Sequence, residues 1–292
     1  MTEAHPTPSR GHTATARDEA DGITQLAAFF SRYRRLFVLG GAGCSTASGI
    51  PDYRDDVGAW KRRPPVTWQA FRNDPPTRAR YWARSLIGWP MMAAAAPNAA
   101  HHMLAQLEAA GHVDLLVTQN VDGLHQAGGS RRVIDLHGRI DRIVCTACGD
   151  VTPRQAFQLR LTALNPAWAV LSARSAPDGD ADLESADFSG FVVPPCAACG
   201  GLLKPDVVFF GENVPPAQVA DAMSGVASAD AMLVVGSSLM VYSGFRFARM
   251  AADRGIPIAA INRGLTRADP LLALKIERGV GEALSEAWEY LK

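Results

Sequence analysis

Short, largely apolar runs recur along the chain, each ending in glycine or a small polar residue. They are LFVLG at 36–40, VDLLVTQN at 113–120, RVIDLHG at 132–138, PDVVFFGE at 205–212, AMLVVGSS at 231–238 and IPIAAIN at 256–262. Runs that are apolar without alternation suit strands covered on both faces, as in a parallel sheet. Between them lie segments with apolar positions three and four apart: ITQLAAFFSRYRR at 23–35, AAHHMLAQLEAAG at 99–111, FARMAADRG at 247–255 and GEALSEAWEYL at 281–291. Residues 52–98 are rich in Pro, Trp and Arg, with helical patches at 68–71 and 77–87. Strands alternating with helices predict an α/β fold, a Rossmann-like parallel sheet with helices on both faces.

Two stretches break the alternation. Residues 1–21 have no apolar period and are expected to be a disordered tail. Residues 140–203 carry four of the five cysteines and are expected to form a separate small module, leaving 22–139 and 204–292 for the sheet domain. Within the module, 174–190 (RSAPDGDADLESADFSG) holds five acids and a single arginine, which predicts a solvated, flexible acidic loop.

Bulk composition narrows the possible partners. The chain has 292 residues, 48% hydrophobic and 20% charged, with a formal net charge of zero. A neutral chain lacks the electrostatic footprint of a nucleic-acid or anionic-membrane binder. Every run long enough to span a bilayer contains charges or prolines. The first twenty residues have no apolar core of the secretory type, and Glu3, Asp18 and Glu19 oppose a transit-peptide reading of Arg10 and Arg17. A monomeric cytoplasmic protein with no nucleic-acid or membrane partner is expected.

The cysteines form two CxxC pairs, Cys145/Cys148 and Cys196/Cys199, each followed by glycine. Two such knuckles supply four thiolates to one tetrahedral ion, which suits a structural Zn²⁺ and leaves no open position for catalysis. The alternatives are redox pairs or disulfides. A redox CxxC opens a helix after a strand, whereas these sit among Gly and Pro.

The chemistry must therefore lie elsewhere. GGAGCSTASGIPDYR follows the first apolar run directly, and Gly41 and Gly43 would let the backbone turn tightly against a pyrophosphate. Thr46 replaces the third small residue of the dinucleotide fingerprint. The acid-ended second strand that a dehydrogenase shows about 20 residues on is missing; AWKRRPPV stands there instead. Other strand ends carry Gln119, Asn120 and Asp122; His137; Gly236, Ser237 and Ser238; and Asn262, Arg263 and Gly264. In an open α/β sheet, ligands bind beyond the carboxyl ends of the strands, so these segments should converge on one crevice.

Taken in order, GAGCSTASGIPDYR, TQNVDGLH, LHG, the CxxC pairs, KPDVVFFGE, VVGSSLMVY and INRG resemble the sirtuins, the NAD-dependent protein deacylases. The matching stretches span about 36–281, and PDYR followed by YWARSLIGWP looks like the class II branch. Cys44 inside the phosphate loop and the acidic insertion depart from the pattern.

The resemblance implies NAD and one structural Zn²⁺ as cofactors, acyl-lysine proteins as substrates, and nicotinamide and O-acyl-ADP-ribose as products. It implies that Gly41, Ala42, Gly43, Ser45, Asp52, Tyr53 and Arg54 form the cofactor loop. Gln119, Asn120 and Asp122 would line the nicotinamide pocket, with Asp122 on the carboxamide. Ser237 would hold phosphate, Asn262 the adenosine ribose, and Val280 would lie near adenine, with Gly236, Ser238, Arg263 and Gly264 completing the cofactor-binding set. His137 would be the general base, with Asn120 beside it in the catalytic set. Val208, Phe209, Phe210, Gly211 and Glu212 on one side, with Leu239 and Val241 on the other, would clasp an extended peptide. Tyr81 and Arg84, one helical turn apart, would read a carboxylate on the acyl group; a surface arginine beside a packed tyrosine is the alternative. His125 is expected to be structural. Two other functions remain open at this point: mono-ADP-ribosyl transfer to protein, and a non-enzymatic NAD-sensing zinc module.

Overall fold

In the computed structural model, residues 16–61, 64–171, 175–181, 183 and 187–292 are described. Six parallel strands form the main sheet: β1 (Leu36–Gly40), β2 (Val113–Thr118), β3 (Val133–Asp135), and, from the second half of the chain, Ala231–Val235, Ile258–Ile261 and Leu274–Ile276. β1 lies in the middle. β2 and β3 follow on one side of it, and the three later strands on the other. The chain direction across the sheet therefore reverses beside β1, which makes a crevice at that point.

Successive strand residues point to opposite faces, and two cores result. Leu36, Val38, Leu116, Leu233, Val235, Ala259 and Ile261 pack on one face with Phe30, Leu104 and Leu284. These come from α1 (Ala16–Arg32), α4 (Ala99–Ala109) and the closing helix Val280–Glu289. Phe37, Leu39, Val117, Met232, Val234, Ile258 and Ala260 pack on the other face with Val226, Phe247 and Ala251. Helices α2 (Trp68–Asn73) and α3 (Pro75–Ala94) start on Thr67 and Asp74, whose side chains accept from Ala70 N and Thr77 N.

α1 begins at Ala16, so the disordered tail expected over 1–21 is wrong at its end. The helix runs back through 16–21, ahead of the apolar period that buries Ile23, Leu26 and Phe30. Residues 1–15 lie outside the described residues.

The cysteine region builds a second, antiparallel sheet of β4 (Gly138–Cys145), β5 (Val151–Pro153) and β8 (Leu203–Val207), with α5 (Leu124–Ala127) preceding it and α6 (Arg154–Leu164) and α7 (Pro166–Ala169) following β5. PDVVFFGE thus does not continue the parallel sheet. Its first residues pair with β4, with Gly138 opposite Val207 and Cys145 opposite Leu203, so this sheet runs across the boundaries expected at 139/140 and 203/204. Its core joins Ile143, Phe157, Leu161 and Leu203 to Phe71, Trp82 and Leu86 of α2 and α3. The fully buried Arg154 crosses that seam. Its Nη2 donates to Ser85 O and Oγ at 3.2 Å, its guanidinium carbon is 4.9 Å from the Trp89 ring centroid, and burial pulls its pKa down to about 10.

The acidic insertion is not wholly a solvated loop. β6 (Ser175–Ala176) pairs with β7 (Asp180–Ala181), and the hairpin rests on α3. A side chain on Gly88 would strike Gly179 O at 2.2 Å, Ala181 is 1% exposed, and Asp180 accepts two 2.8 Å hydrogen bonds from Arg84. Residues 172–174, 182 and 184–186 lie outside the described residues.

The four cysteine Sγ atoms lie within 4.8 Å of one another, with Cys145–Cys199 at 3.5 Å and Cys148–Cys196 at 3.9 Å. Tetrahedral thiolates on zinc, at about 2.3 Å each, stand about 3.8 Å apart, so the set fits Zn²⁺. Backbone N–H groups of Cys148 and Ala147 pull the Cys145 thiol down to about 6, toward the thiolate that a metal needs. A side chain on Gly201 would meet Cys145 Sγ at 2.9 Å, which accounts for glycine there. Metal analysis should find about one zinc per chain. Cys145→Ser should lower zinc content and melt the β4–β8 module at a lower temperature; a metal-free parent of full stability and activity would remove zinc from the account.

Candidate active site

The remaining elements of the second half are α8 (Pro216–Ser228), β9 (Ala231–Val235), α9 (Tyr242–Asp253), β10 (Ile258–Ile261), β11 (Leu274–Ile276) and α10 (Val280–Glu289). At the crevice, the turn after β1 and the turn after β9 are in backbone contact. Gly43 N donates to Gly236 O at 2.8 Å and Gly41 N to Val235 O at 3.0 Å. A Cβ on Gly43 would lie 2.8 Å from Gly236 Cα, and one on Gly236 would lie 2.5 Å from Cys44 N. Gly236 also has φ +58, which favours glycine again. The Asn98 side chain caps α4 and donates to Cys44 O and Ser48 Oγ, both at 2.8 Å, which ties the loop to that helix.

The end of β2 reaches across both turns. Gln119 N donates to Gly40 O at 3.0 Å, and Gln119 Nε2 donates to Ser237 Oγ at 2.7 Å. Asn120 Nδ2 donates to Gly41 O at 3.1 Å and to Ser45 Oγ at 3.0 Å. Ser45 Oγ donates to Asp122 Oδ2 at 2.7 Å, while Asp122 Oδ1 accepts from Leu124 N at 2.8 Å. An amide, a hydroxyl and a carboxylate thus face one spot.

His137 sits just after β3. Its Nδ1 is 2.9 Å from Gln119 O, a carbonyl that can only accept, so Nδ1 carries the proton. Nε2 is left with its lone pair, which accepts from Ser243 Oγ at 2.8 Å. Burial pulls the pKa of His137 below the ordinary histidine value, and the charge of Arg246 acts in the same direction. At neutral pH the ring is neutral, with a basic nitrogen toward the cavity.

That cavity measures about 920 Å³ and runs between the two sheets. Gly41, Ala42, Gly43, Ser45, Asp52, Tyr53, Arg54, Gln119, Asn120, Asp122 and His137 line it, as do Gly236, Ser237, Ser238, Asn262, Arg263 and Val280. Val208, Phe209, Phe210, Gly211 and Glu212 face it from one side, and Leu239 and Val241 from another. Leu239 is buried at φ +56, the one positive-φ non-glycine among the described residues, so the backbone is strained at this wall. Arg54 lies 3.9 Å over the Trp60 ring, and Tyr53, Trp60 and Phe210 meet edge to face across the mouth.

Three expected site residues do not line this cavity. Gly264 is turned onto Asp56, whose carbonyl a Cβ would strike at 2.2 Å. Tyr81 packs in the module core against Phe71 and Phe209, at 5.2 and 5.3 Å between centroids. Arg84 is engaged by Asp180. His125 is 1% exposed, its pKa is pulled down to about 3 by burial, and its ring lies 4.9 Å from that of His101. It does not reach the cavity. Sequence reading overlooked Trp60, Met92, Ser243 and Arg246, all of which line it. Ser243 and Arg246 stand in the first turns of α9, ahead of the apolar period at 247–255 that marked the helix.

A glycine-cradled crevice at a switch point, joined to a four-cysteine module, defines a dinucleotide-type α/β protein with its base at a strand end. The Sir2 family model matches residues 41–243, and the chain belongs to that family. It is 62% identical over 260 residues to an NAD-dependent protein deacetylase of Xanthomonas campestris pv. campestris (strain 8004), covering 89% of each chain. It is 61% identical over 264 residues to an NAD-dependent protein deacetylase of Bordetella bronchiseptica, covering 90% of this chain and 96% of the other. A solved Sir2 with p53 peptide and NAD+ is similar at TM-score 0.73 and 29% identity, covering 91% and 97%. A Sir2 variant with deacetylated p53 peptide and 3′-O-acetyl ADP-ribose is similar at TM-score 0.75 and 30% identity, covering 91% and 97%.

His137→Ala should abolish turnover, a loss of about 10²–10⁴-fold or more, while NAD binding by calorimetry persists. In the parent, kcat/KM should fall only as pH drops below about 6.5, where His137 gains a proton. Near-parental turnover by the variant would take His137 out of the chemistry.

Proposed function

We propose that the chain is an NAD-dependent protein-lysine deacylase that releases nicotinamide and O-acyl-ADP-ribose. The observation that carries this reading is His137, fixed with a bare Nε2 at the wall of a cavity that the glycine cradle and the 208–212 segment share. NAD supplies the ribose carbon that accepts the acyl oxygen, with nicotinamide as leaving group. The residues fit such a molecule: Gly41, Gly43 and Gly236 line the cavity where the two turns meet, with the hydroxyl-bearing Ser45 and Ser237 beside them to face a pyrophosphate and ribose.

In this reading Asp122 grips the carboxamide, fixed by Ser45 and Leu124 N, and Asn120 holds Ser45 in place. Ser237 faces phosphate, Asn262 and Arg263 the adenosine ribose, and Val280 the adenine. His137 Nε2, which now accepts from Ser243 Oγ, would take a proton from a ribose hydroxyl of the bound cofactor. Tyr53, Trp60 and Phe210 exclude water above the reacting atoms, which strengthens every polar contact beneath them. The peptide lies between 208–212 and 238–242. Arg84 does not enter the reading of the acyl group, because Asp180 holds it.

The solved relatives with p53 and propionylated peptides support protein substrates. We further propose that the sheet domain and the cysteine module are the two units of the chain, and that it belongs to the class II branch. We also propose a monomeric cytoplasmic enzyme, the metal-spaced thiols suiting a reducing compartment, and the neutral net charge supports the absence of nucleic-acid or membrane partners. No helix among the described residues is long and apolar enough to cross a membrane. Sedimentation at the mass of one chain would check the monomer.

With NAD and an acetyl-lysine peptide, the peptide should lose its acyl group, one nicotinamide appearing per lysine unmasked. A peptide made heavier by ADP-ribose would establish the transferase instead. NAD binding with no nicotinamide release would establish a sensor.

A further inference from the structure

Beside His137, the cavity wall carries a cation with no anion. Arg246 lines the cavity from the second turn of α9, its Nε is buried without a hydrogen-bond partner, and no carboxylate among the described residues pairs with it. Its guanidinium carbon lies 5.3 Å from the Tyr242 ring centroid. A second arginine, Arg267, lies 5.9 Å from the same centroid and 4.3 Å from that of Phe245. Arg267 is held there by its backbone, which donates to Ser238 O at 2.8 Å, and by Nη1 on Met240 O at 3.5 Å. It too lacks a carboxylate partner among the described residues. Two like charges are thus brought to one aromatic ring, each stabilised by the π face and each repelling the other. An anion arriving from outside would relieve that repulsion and find planar donors ready.

The position says where that anion comes from. The cofactor's phosphates belong at the glycine cradle of Gly41, Gly43 and Gly236, whereas Arg246 stands on the His137–Ser243 side. The acyl group must pass inward toward His137. Tyr242 is half exposed, and with the neighbouring Val241 it forms the outer rim, where chain on either side of the modified lysine would run. We propose that Arg246 and Arg267 form a carboxylate-recognition site for the substrate peptide, selecting acyl-lysines that have an aspartate or glutamate close by in sequence. This rests on the reading that the peptide lies along 238–242.

The test compares acetyl-lysine peptides that carry Glu, or Gln in its place, scanned through the three positions on each side of the lysine. The parent should favour Glu at one or two positions by about 3–10-fold in kcat/KM, through KM rather than kcat, as expected of a partly exposed charge-assisted pair. Arg246→Gln and Arg267→Gln should each remove most of that preference, read as the ratio of Glu to Gln peptides at a fixed pH; Arg267→Gln, away from His137, should also leave the all-neutral peptide and the KM for NAD unchanged. Arg246→Glu should prefer a Lys-bearing peptide, and raised salt should flatten the parent's preference. Equal kcat/KM for Glu and Gln peptides in the parent would overturn the proposal, as would equal losses on both in the variants. A raised KM for NAD would reassign Arg246 to the cofactor. A selective loss on a neutral peptide whose acyl group ends in a carboxylate would reassign it to the acyl chain. A parent that deacylates none of the peptides, the neutral one included, would remove the underlying function rather than the selectivity alone.

Discussion

The contact between the turns after β1 and β9 is the constraint from which the rest of the site follows. Gly43 and Gly236 approach so closely that neither can bear a side chain, and their backbones are joined by a hydrogen bond. That closure gives Gln119 two fixed partners, Gly40 O and Ser237 Oγ, on the two turns it spans. With Gln119 fixed, its own carbonyl is fixed, and that carbonyl sets the tautomer of His137. The base is therefore oriented by packing two glycines together, through one amide side chain and one carbonyl. No acidic residue is needed to orient it.

Scaffold and chemistry are separated in space but connected by one strand. β8 starts two residues after Gly201 of the second knuckle and leads directly into 208–212 at the cavity. Lys204 on that strand lies 5.1 Å from the Trp68 centroid and pairs with both oxygens of Glu212, which also accepts from Phe209 N. A mostly buried ion pair of this kind costs much when one partner is lost, because the other is left uncompensated. It transmits the metal module's position to the peptide wall. The acidic insertion adds a further tie, since Asp180 holds Arg84 on the same α3 that packs against the module.

Much of this was legible in the chain because the signals are local. β1, β2, β9 and β10 are read from largely apolar runs, and the knuckles and glycine turns carry their chemistry in a few adjacent residues. What escaped depends on distant pairing. β5 and β11 are three-residue strands with no apolar run of their own; β5 has no buried position and β11 only Ile276. PDVVFFGE has the apolarity of a buried parallel strand, yet its antiparallel partner β4 lies more than sixty positions earlier, and nothing local distinguishes the two. The 175–181 hairpin is polar by composition and is placed by a missing side chain at Gly88, a fit visible only once α3 is built. Arg84 satisfied a spacing rule, but its carboxylate comes from Asp180, from within the chain. Ser243 and Arg246 lie ahead of the apolar period that announces α9, so the helix was seen and its functional first turns were not.

The central claim is that the Gln119 carbonyl holds His137 with its proton on Nδ1 and a bare Nε2 toward the cavity. Nitrogen-15 NMR of the histidine side chains, with His137 assigned by its alanine variant, reads this directly. The account predicts a protonated Nδ1 and a shift at Nε2 typical of an unprotonated ring nitrogen at pH 7, with the second proton added only below about 6.5. An Nε2–H tautomer, or a doubly protonated ring at neutral pH, would contradict it.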